Sequence, residues 1–405
     1  MNSFDIEEFV NKHLMLIFLI CLFVLILMYI SQKIQKQSYY CYDICSNRIK
    51  DNNIKQFHNL YTLKRAGYFN GSITIKSTDI DYEYTLKDFF IKTAYNCFCS
   101  SGYRNGYVDE CALKNCASYG VRALHMQIFS LDETPIVATN SLNTNHYKET
   151  YNEIKFSTAL SMIDNLFRTG TTFSYTNEEN NLTNDPLFLI LQLHYGTNID
   201  KSDVANSYYD THKTQKKIIF YNRIYADLLN QFDMSHFASD ELKQLHPNDY
   251  ETNRDEHVAN MKMGSLTKKI FIFVILNDGT SEDYSALKDS KLNNIVDLYG
   301  DNELTHYRSN ELSTDDTLSK YTSRKELSFC MPDYTIGNAN YDFVQAMKKG
   351  TQFIGMNFQK HDNQLNLYNE FFKSQHGISS SESSISSPYI KKPDHMIKLP
   401  LSLTI

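Results

Sequence analysis

The sequence predicts an α/β chain built on a parallel barrel of the (β/α)8 type, preceded by one transmembrane helix. Three observations carry this. From about residue 85 onward, short apolar runs alternate with helically spaced segments. Residues 186–195 (PLFLILQLHY) and 268–276 (KKIFIFVIL) are apolar runs without alternation, as expected of strands buried on both faces. Residues 14–30 (LMLIFLICLFVLILMYI) carry no charge. Roughly 300 residues of alternating elements suit an eight-stranded barrel.

Residues 1–13 are a polar tail with Asp5, Glu7 and Glu8. A helix over 14–30 would be about 26 Å long, near the lower limit for crossing a bilayer. A cleaved signal peptide is the rival, but the leading region is acidic and Ser31-Gln32-Lys33 has no small-x-small cleavage pattern. A buried core helix is the weaker alternative. Lys33, Lys36, Arg48 and Lys50 follow the apolar segment and only Lys12 precedes it, so the positive-inside rule puts the bulk of the chain in the cytoplasm. The cysteines argue the other way. Six of eight fall in close pairs, Cys41 and Cys45, Cys97 and Cys99, Cys111 and Cys116, which permits disulfides. Sequons at Asn70 and Asn181 also fit a lumenal or virion-surface alternative.

Residues 31–84 form a connecting region with a hairpin expected at Asn70-Gly71. Strands are expected over 88–96 and 120–129, then a turn at Asp132-Glu133 and an extended piece over 134–140. Ile154, Ala159, Leu160, Ile163 and Phe167 give a helix over 151–168. Ile219, Tyr221, Ile224, Leu228 and Phe232 give another over 216–232. Residues 277–316 are acidic and poor in apolar side chains, so 277–322 is expected to be a surface linker. After it come a strand (326–333), a helix (341–350), a strand (351–359), a helix (364–373), a serine-rich loop (377–388) and a tail (399–405).

The net charge is −7, with Lys+Arg 40 against Asp+Glu 47, and no basic domain stands out, so nucleic acid is excluded as a partner class. His125 and Gln127 are two apart and share one face of a strand, while Thr139 and Asn140 end the next run. Chemistry in parallel barrels sits at the carboxyl ends of strands, which makes this stretch the candidate site floor. Cys97 and Cys99 are a candidate nucleophile pair, against the plainer reading of half-buried thiols. His125, Gln192 and His194 are a candidate zinc set, against a hydrogen-bonded polar pocket. Lys348-Lys349 and Lys391-Lys392 would suit anionic lipid headgroups, against solvated surface lysines. The sequence names no protein partner.

Two stretches together resemble the phosphoinositide-specific phospholipase C family. GVRALHMQIF, TPIVATN and NDPLFLILQL resemble its X half, over residues 85–276. ELSFCMPD, NYDFVQAMKKGTQFIGMNFQ and PYIKKPDHM resemble its Y half, over residues 323–398. The resemblance implies a calcium-dependent phosphodiesterase on a barrel split by a linker. It also implies catalytic positions that this chain fills otherwise. Tyr95 and Thr139 stand where the family has its two histidines. The calcium-ligand positions hold Asn96, His125, Gln127 and Gln192, of which only Asn96 matches. Phe329 and Met331 occupy the positions of the arginine and tyrosine that contact inositol. Losing about three carboxylates removes most of a calcium site, so no cofactor is expected. The expectation is a membrane-anchored, catalytically inactive binding or structural protein. The alternatives are an active phospholipase C with a rearranged site, and an envelope protein using the barrel as scaffold.

Overall fold

Eight parallel strands follow one another around a curled sheet in the computed structural model. The structure describes residues 18–29, 84–141, 147–167, 186–195, 207–266, 268–276, 281–300, 303–313, 326–334, 338–374 and 389–392. The chain divides into two units, Met1–Ile54 and Lys55–Ile405. In the first, residues 18–29 are helical with exposed apolar side chains. The rest of the expected 14–30 helix lies outside the described residues, and among those described no helix is long and apolar enough to cross a membrane. The Asn70-Gly71 hairpin, the serine-rich loop, the 399–405 tail and both sequons also lie outside them.

In the second unit the parallel strands are β1 (Phe89–Ala94), β2 (Ala123–Leu131), β5 (Leu187–His194), β6 (Ile270–Leu276), β7 (Leu298–Tyr299), β8 (Thr305–Arg308), β9 (Ser328–Met331) and β10 (Phe353–Met356). Their spatial order is their sequence order, and β10 returns to pair with β1. The edge strands β7 and β8 meet at one parallel bridge, Gly300 with Leu304. The fold is therefore α/β with a parallel barrel. β3 (Thr134–Ala138) pairs antiparallel with β2, and β4 (Ile154–Lys155) with β3. Asp132 and Glu133 between β2 and β3 both take positive φ (48° and 58°), the mirror-image turn geometry that two-residue hairpins favour. β11 (Tyr389–Lys391) runs antiparallel to the start of β1.

Helices cover the outside. They are α1 (Glu110–Ser118), α2 (Phe156–Phe167), α3 (Ser207–Gln231), α4 (Ala238–Leu245), α5 (Arg254–Ala259), α6 (Ser281–Lys288), α7 (Phe343–Lys348) and α8 (Asn363–Ser374). α2 buries Ala159, Leu160, Ile163 and Phe167 as the spacing predicts. On α3 the expected Ile219 is exposed and Phe220 is buried instead. Alternation along each strand sorts the apolar residues into two layers. Leu124, Met126, Leu189, Leu191, Ile272, Val274 and Ile354 pack outward against helices. Phe89, Ile91, Ala123, Phe188, Ile190, Phe271, Phe273, Phe329 and Phe353 fill the interior.

The expected linker is corrected. Residues 281–313 contain α6 and two barrel strands, β7 and β8. Leu287, Leu292, Ile295, Val296, Leu298 and Leu304 are buried there, spaced between acidic residues that hid them in a composition average. One of those acids, Asp297, is itself fully buried and accepts a hydrogen bond from the Ile272 backbone N–H at 2.7 Å. The lipid-facing role of Lys392 is corrected too. It is 3% exposed, and its ammonium donates to the carbonyls of Lys87 (2.7 Å) and Gly350 (2.5 Å).

Burial pushes the Asp297 carboxyl up to about 8, against roughly 3.9 in an unfolded chain. Between these values the folded state keeps a proton that the unfolded state has lost, so stability falls as pH rises from about 4 to 8. Asp297→Asn keeps the acceptor oxygen and removes the titration. Its unfolding free energy should lose less than the wild type's over that range, by roughly a few kcal/mol, measured by denaturant melts at pH 5 and pH 8.

Candidate active-site mouth

The carboxyl ends of β1, β2, β5, β8 and β9 bring most of the predicted residues together. Gln127 on β2 lies across from Gln192 on β5, and His125 stands one inward-facing position below Gln127. Tyr95 and Asn96 follow directly after β1. Asn96 takes a left-handed backbone (φ 47°), which asparagine tolerates better than most residues. That kink turns the chain, and the Cys97 N–H bonds the His125 carbonyl at 2.9 Å. Thr139 ends the β3 hairpin arm one residue past Ala138, the register partner of Gln127, and its hydroxyl donates to the Tyr103 carbonyl at 2.9 Å. Phe329 and Met331 face inward on β9, in register with His306 and Arg308 of β8.

His125 is fully buried, and both of its ring nitrogens are engaged. The Asn96 backbone N–H donates to Nδ1 at 3.2 Å, so Nδ1 must be the unprotonated nitrogen. Nε2 then carries the proton and donates to Gln192 Oε1 at 3.2 Å. Burial first, and the Arg308 guanidinium second, hold the imidazole pKa well below its ordinary range. The ring stacks on Tyr95 at 4.3 Å and meets Phe329 in a tilted contact at 5.5 Å. Tyr95 also meets Tyr103 edge-on at 5.7 Å.

Arg308 is the residue that sequence reasoning missed, because it fell inside the supposed linker. It is 8% exposed. Nη1 donates to the Tyr95 hydroxyl at 3.1 Å and to the Pro332 carbonyl at 2.6 Å, and the guanidinium lies 3.5 Å from the Tyr334 ring centroid. The run LTHYR alternates inward Leu304, His306 and Arg308 with outward Tyr307, but four strand residues are too few for period alone to identify. Asn357, from NFQ, ties the mouth together. It accepts from the Tyr103 hydroxyl, its N–H bonds Asn340 Oδ1 at 2.6 Å, and its amide donates to the Asn338 carbonyl at 3.1 Å.

These residues do not fit calcium. The ion takes about six to eight oxygen ligands and draws affinity from carboxylates. Here no carboxylate occupies the matched positions, and His125 offers nitrogen. Gln127 Oε1 accepts the Asn140 N–H at 2.8 Å, and Gln192 Oε1 accepts from His125. The Asn96 side-chain amide has neither atom paired, and it offers a single carbonyl oxygen. A zinc set of His125, Gln192 and His194 fails for the same reason, since the His125 nitrogens are committed. Cys97 and Cys99 are corrected as a nucleophile pair. Burial raises the first thiol well above its usual value and the second to about 12, so neither forms a thiolate at neutral pH. Tyr95 is a phenol stacked on His125 whose hydroxyl accepts from Arg308, and the Thr139 hydroxyl donates to backbone, so neither side chain is placed as a free general acid or base.

No protein-family model matches the chain, and no curated protein does. Solved structures do. PLC21 of S. officinalis aligns with a TM-score of 0.53 at 14% identity, covering 78% of this chain and 38% of that one. PLC21 of L. pealei gives 0.49 at 16% over the same shares. A Ca2+-dependent phosphatidylinositol-specific phospholipase C from Streptomyces antibioticus gives 0.40 at 11%, over 68% of this chain and 95% of that one. The first establishes that the barrel has a phospholipase C-like fold. The chain spans well under half the length of that protein.

His125 should stay neutral with its proton on Nε2 from pH 5 to pH 8, seen as unchanged imidazole nitrogen shifts by NMR. Gln192→Leu leaves a buried Nε2–H without its acceptor and should cost about 1–3 kcal/mol in denaturant melts.

Proposed function

We propose that this chain is a phospholipase C-like barrel without calcium-dependent phosphodiester cleavage. It works as a binding or structural protein, tethered to a membrane through its N-terminal apolar segment. The observation that carries the reading is the state of His125. At a calcium-ligand position of the resembled family stands an imidazole with both nitrogens engaged, in contact with the rings of Tyr95 and Phe329 and within the field of the Arg308 guanidinium. A second positive charge close by raises the cost of placing a divalent cation there. The tether rests on the uncharged 14–30 segment.

The barrel's side of the membrane has a second reading, with an observation behind it. Cys111 is disulfide-bonded. Disulfides persist in oxidising compartments, which favours the lumenal or surface side over the cytoplasmic side indicated by the basic residues after the segment. Alkylating thiols in intact cells before lysis, followed by peptide mass analysis, decides between them. Modified Cys111 places the barrel in the cytoplasm, and protected Cys111 places it on the oxidising side.

Purified full-length protein with phosphatidylinositol vesicles should release no inositol phosphate above buffer, with or without calcium. Its melting temperature should not move with calcium. The triple variant His125→Glu, Gln127→Asp and Gln192→Glu should lose stability without calcium and gain about 2.7 kcal/mol at a hundred times its Kd. Calcium-dependent release by the wild type, abolished by Asn96→Ala, would sink the reading.

A further inference from the structure

The amino ends of the barrel strands are closed by a plug made of α4, α5 and the turn between them. Ala238 and Leu242 of α4 and Val258 and Ala259 of α5 belong to the same interior core as Leu86 and Phe89, at the start of β1. Backbone bonds fix its place. The Leu86 N–H reaches the Met261 carbonyl and the Met263 N–H reaches the Tyr84 carbonyl, at 2.9 and 2.8 Å. Phe237, which precedes α4, bridges Ile270, the first residue of β6. The plug is thus at the opposite end of the strands from the mouth.

On the outer side of this plug, His246, Asp249 and His257 converge. Each presents a ligand atom, and these atoms all lie within 4.8 Å of one another. His257 Nε2 is 3.1 Å from Asp249 Oδ2. The two imidazole rings stack with centroids 3.7 Å apart at 19°. His246 follows the last residue of α4, Asp249 is in the turn, and His257 is on α5, so the three come from both helices and their connection. The connection is itself ordered by the Tyr250 N–H to the His246 carbonyl at 3.0 Å and the Asn253 N–H to the Asp249 carbonyl at 3.0 Å.

We propose that His246, Asp249 and His257 bind a divalent transition-metal cation of the zinc class, and that the metal clips α4 to α5. Two imidazoles and one carboxylate are the donor set such ions favour, while calcium and magnesium prefer all-oxygen shells. Ligand bonds of about 2.0–2.2 Å in tetrahedral array place donor atoms about 3.4 Å apart. The His257–Asp249 pair already meets that separation, and a modest rotation of the half-exposed His246 closes the triangle. Solvent fills the remaining position, because the Asp249 side chain is 48% exposed. The spacing His-x2-Asp-x7-His carries no metal signature in sequence; the turn after α4 is what assembles it. The site is separate from the mouth, and its role is to hold the barrel's floor.

The test uses the full chain in detergent, stripped with chelator, and zinc chloride or cobalt chloride as the probe. Zinc should bind with one-to-one stoichiometry by calorimetry and raise the melting temperature. Cobalt should give visible d–d bands without the near-ultraviolet charge-transfer band of thiolate ligation. Affinity should fall at least tenfold in each of Asp249→Ala and His257→Ala. Asn96→Ala at the mouth should leave it unchanged. If zinc binds equally well to the wild type and to His246→Ala/His257→Ala, or does not bind at all, the proposal is overturned. If the double variant fails to fold, His257→Gln serves: zinc affinity equal to the wild type's would likewise overturn it.

Discussion

The packing of aromatic rings inside the barrel is the constraint on which the rest depends. Phe188 stacks on Phe271 at 4.8 Å and Phe353 meets Phe188 and Phe273 edge-on; Phe353 is the register partner of Phe329, which with His125 and Tyr95 forms a second group of rings reaching Arg308 and Tyr334. A closed parallel sheet has to fill its interior with side chains. Filling it with aromatics up to the mouth buries much area and leaves no room for error. Gly355 shows the limit. A Cβ there would lie 3.0 Å from the Phe329 ring and 3.3 Å from Tyr95. Glycine on β10 is therefore the condition for the rings on β9 and after β1 to pass each other.

The same packing limits what the mouth can do chemically. Histidine and tyrosine can serve chemistry when water and a proton partner reach them. Here their faces are spent on stacking and their polar atoms on neighbours. Among the described residues, the Asn96 side-chain amide has neither atom in a hydrogen bond, and its backbone is left-handed. Among the described residues the mouth holds the amides of Asn96, Gln127, Gln192 and Asn357 and the buried guanidinium of Arg308.

The strands with long apolar runs were legible in the sequence, because burial on both faces suppresses alternation. β5 and β6 begin within two residues of their expected starts. β2 starts later than expected, since Gly120 (φ 75°) ends the preceding turn and Val121-Arg122 leads into the strand. The two-residue β7 and four-residue β8 were not legible, being shorter than any window that resolves a period, and Asp297 made their surroundings look solvated. That one misreading also hid Arg308, the only cation in the mouth among the described residues that touches Tyr95. The plug helices α4 and α5 escaped for a related reason. Their apolar residues face a core supplied by distant strands, so the helices carry too few of them to stand out alone.

The seam at β1 has a consequence for how the chain is made. The first barrel strand pairs with the last ones, β10 and β11, and Lys392 locks that junction by bonding carbonyls just before β1 and just before β10. During vectorial synthesis β1 emerges 264 residues ahead of the start of β10 and 300 ahead of the start of β11. It must wait with that edge open while the ribosome makes the intervening strands and helices. Closure is thus a late, long-range event, of the sort that folds slowly and exposes sticky intermediates. The nascent chain depends on shielding until its final strand arrives.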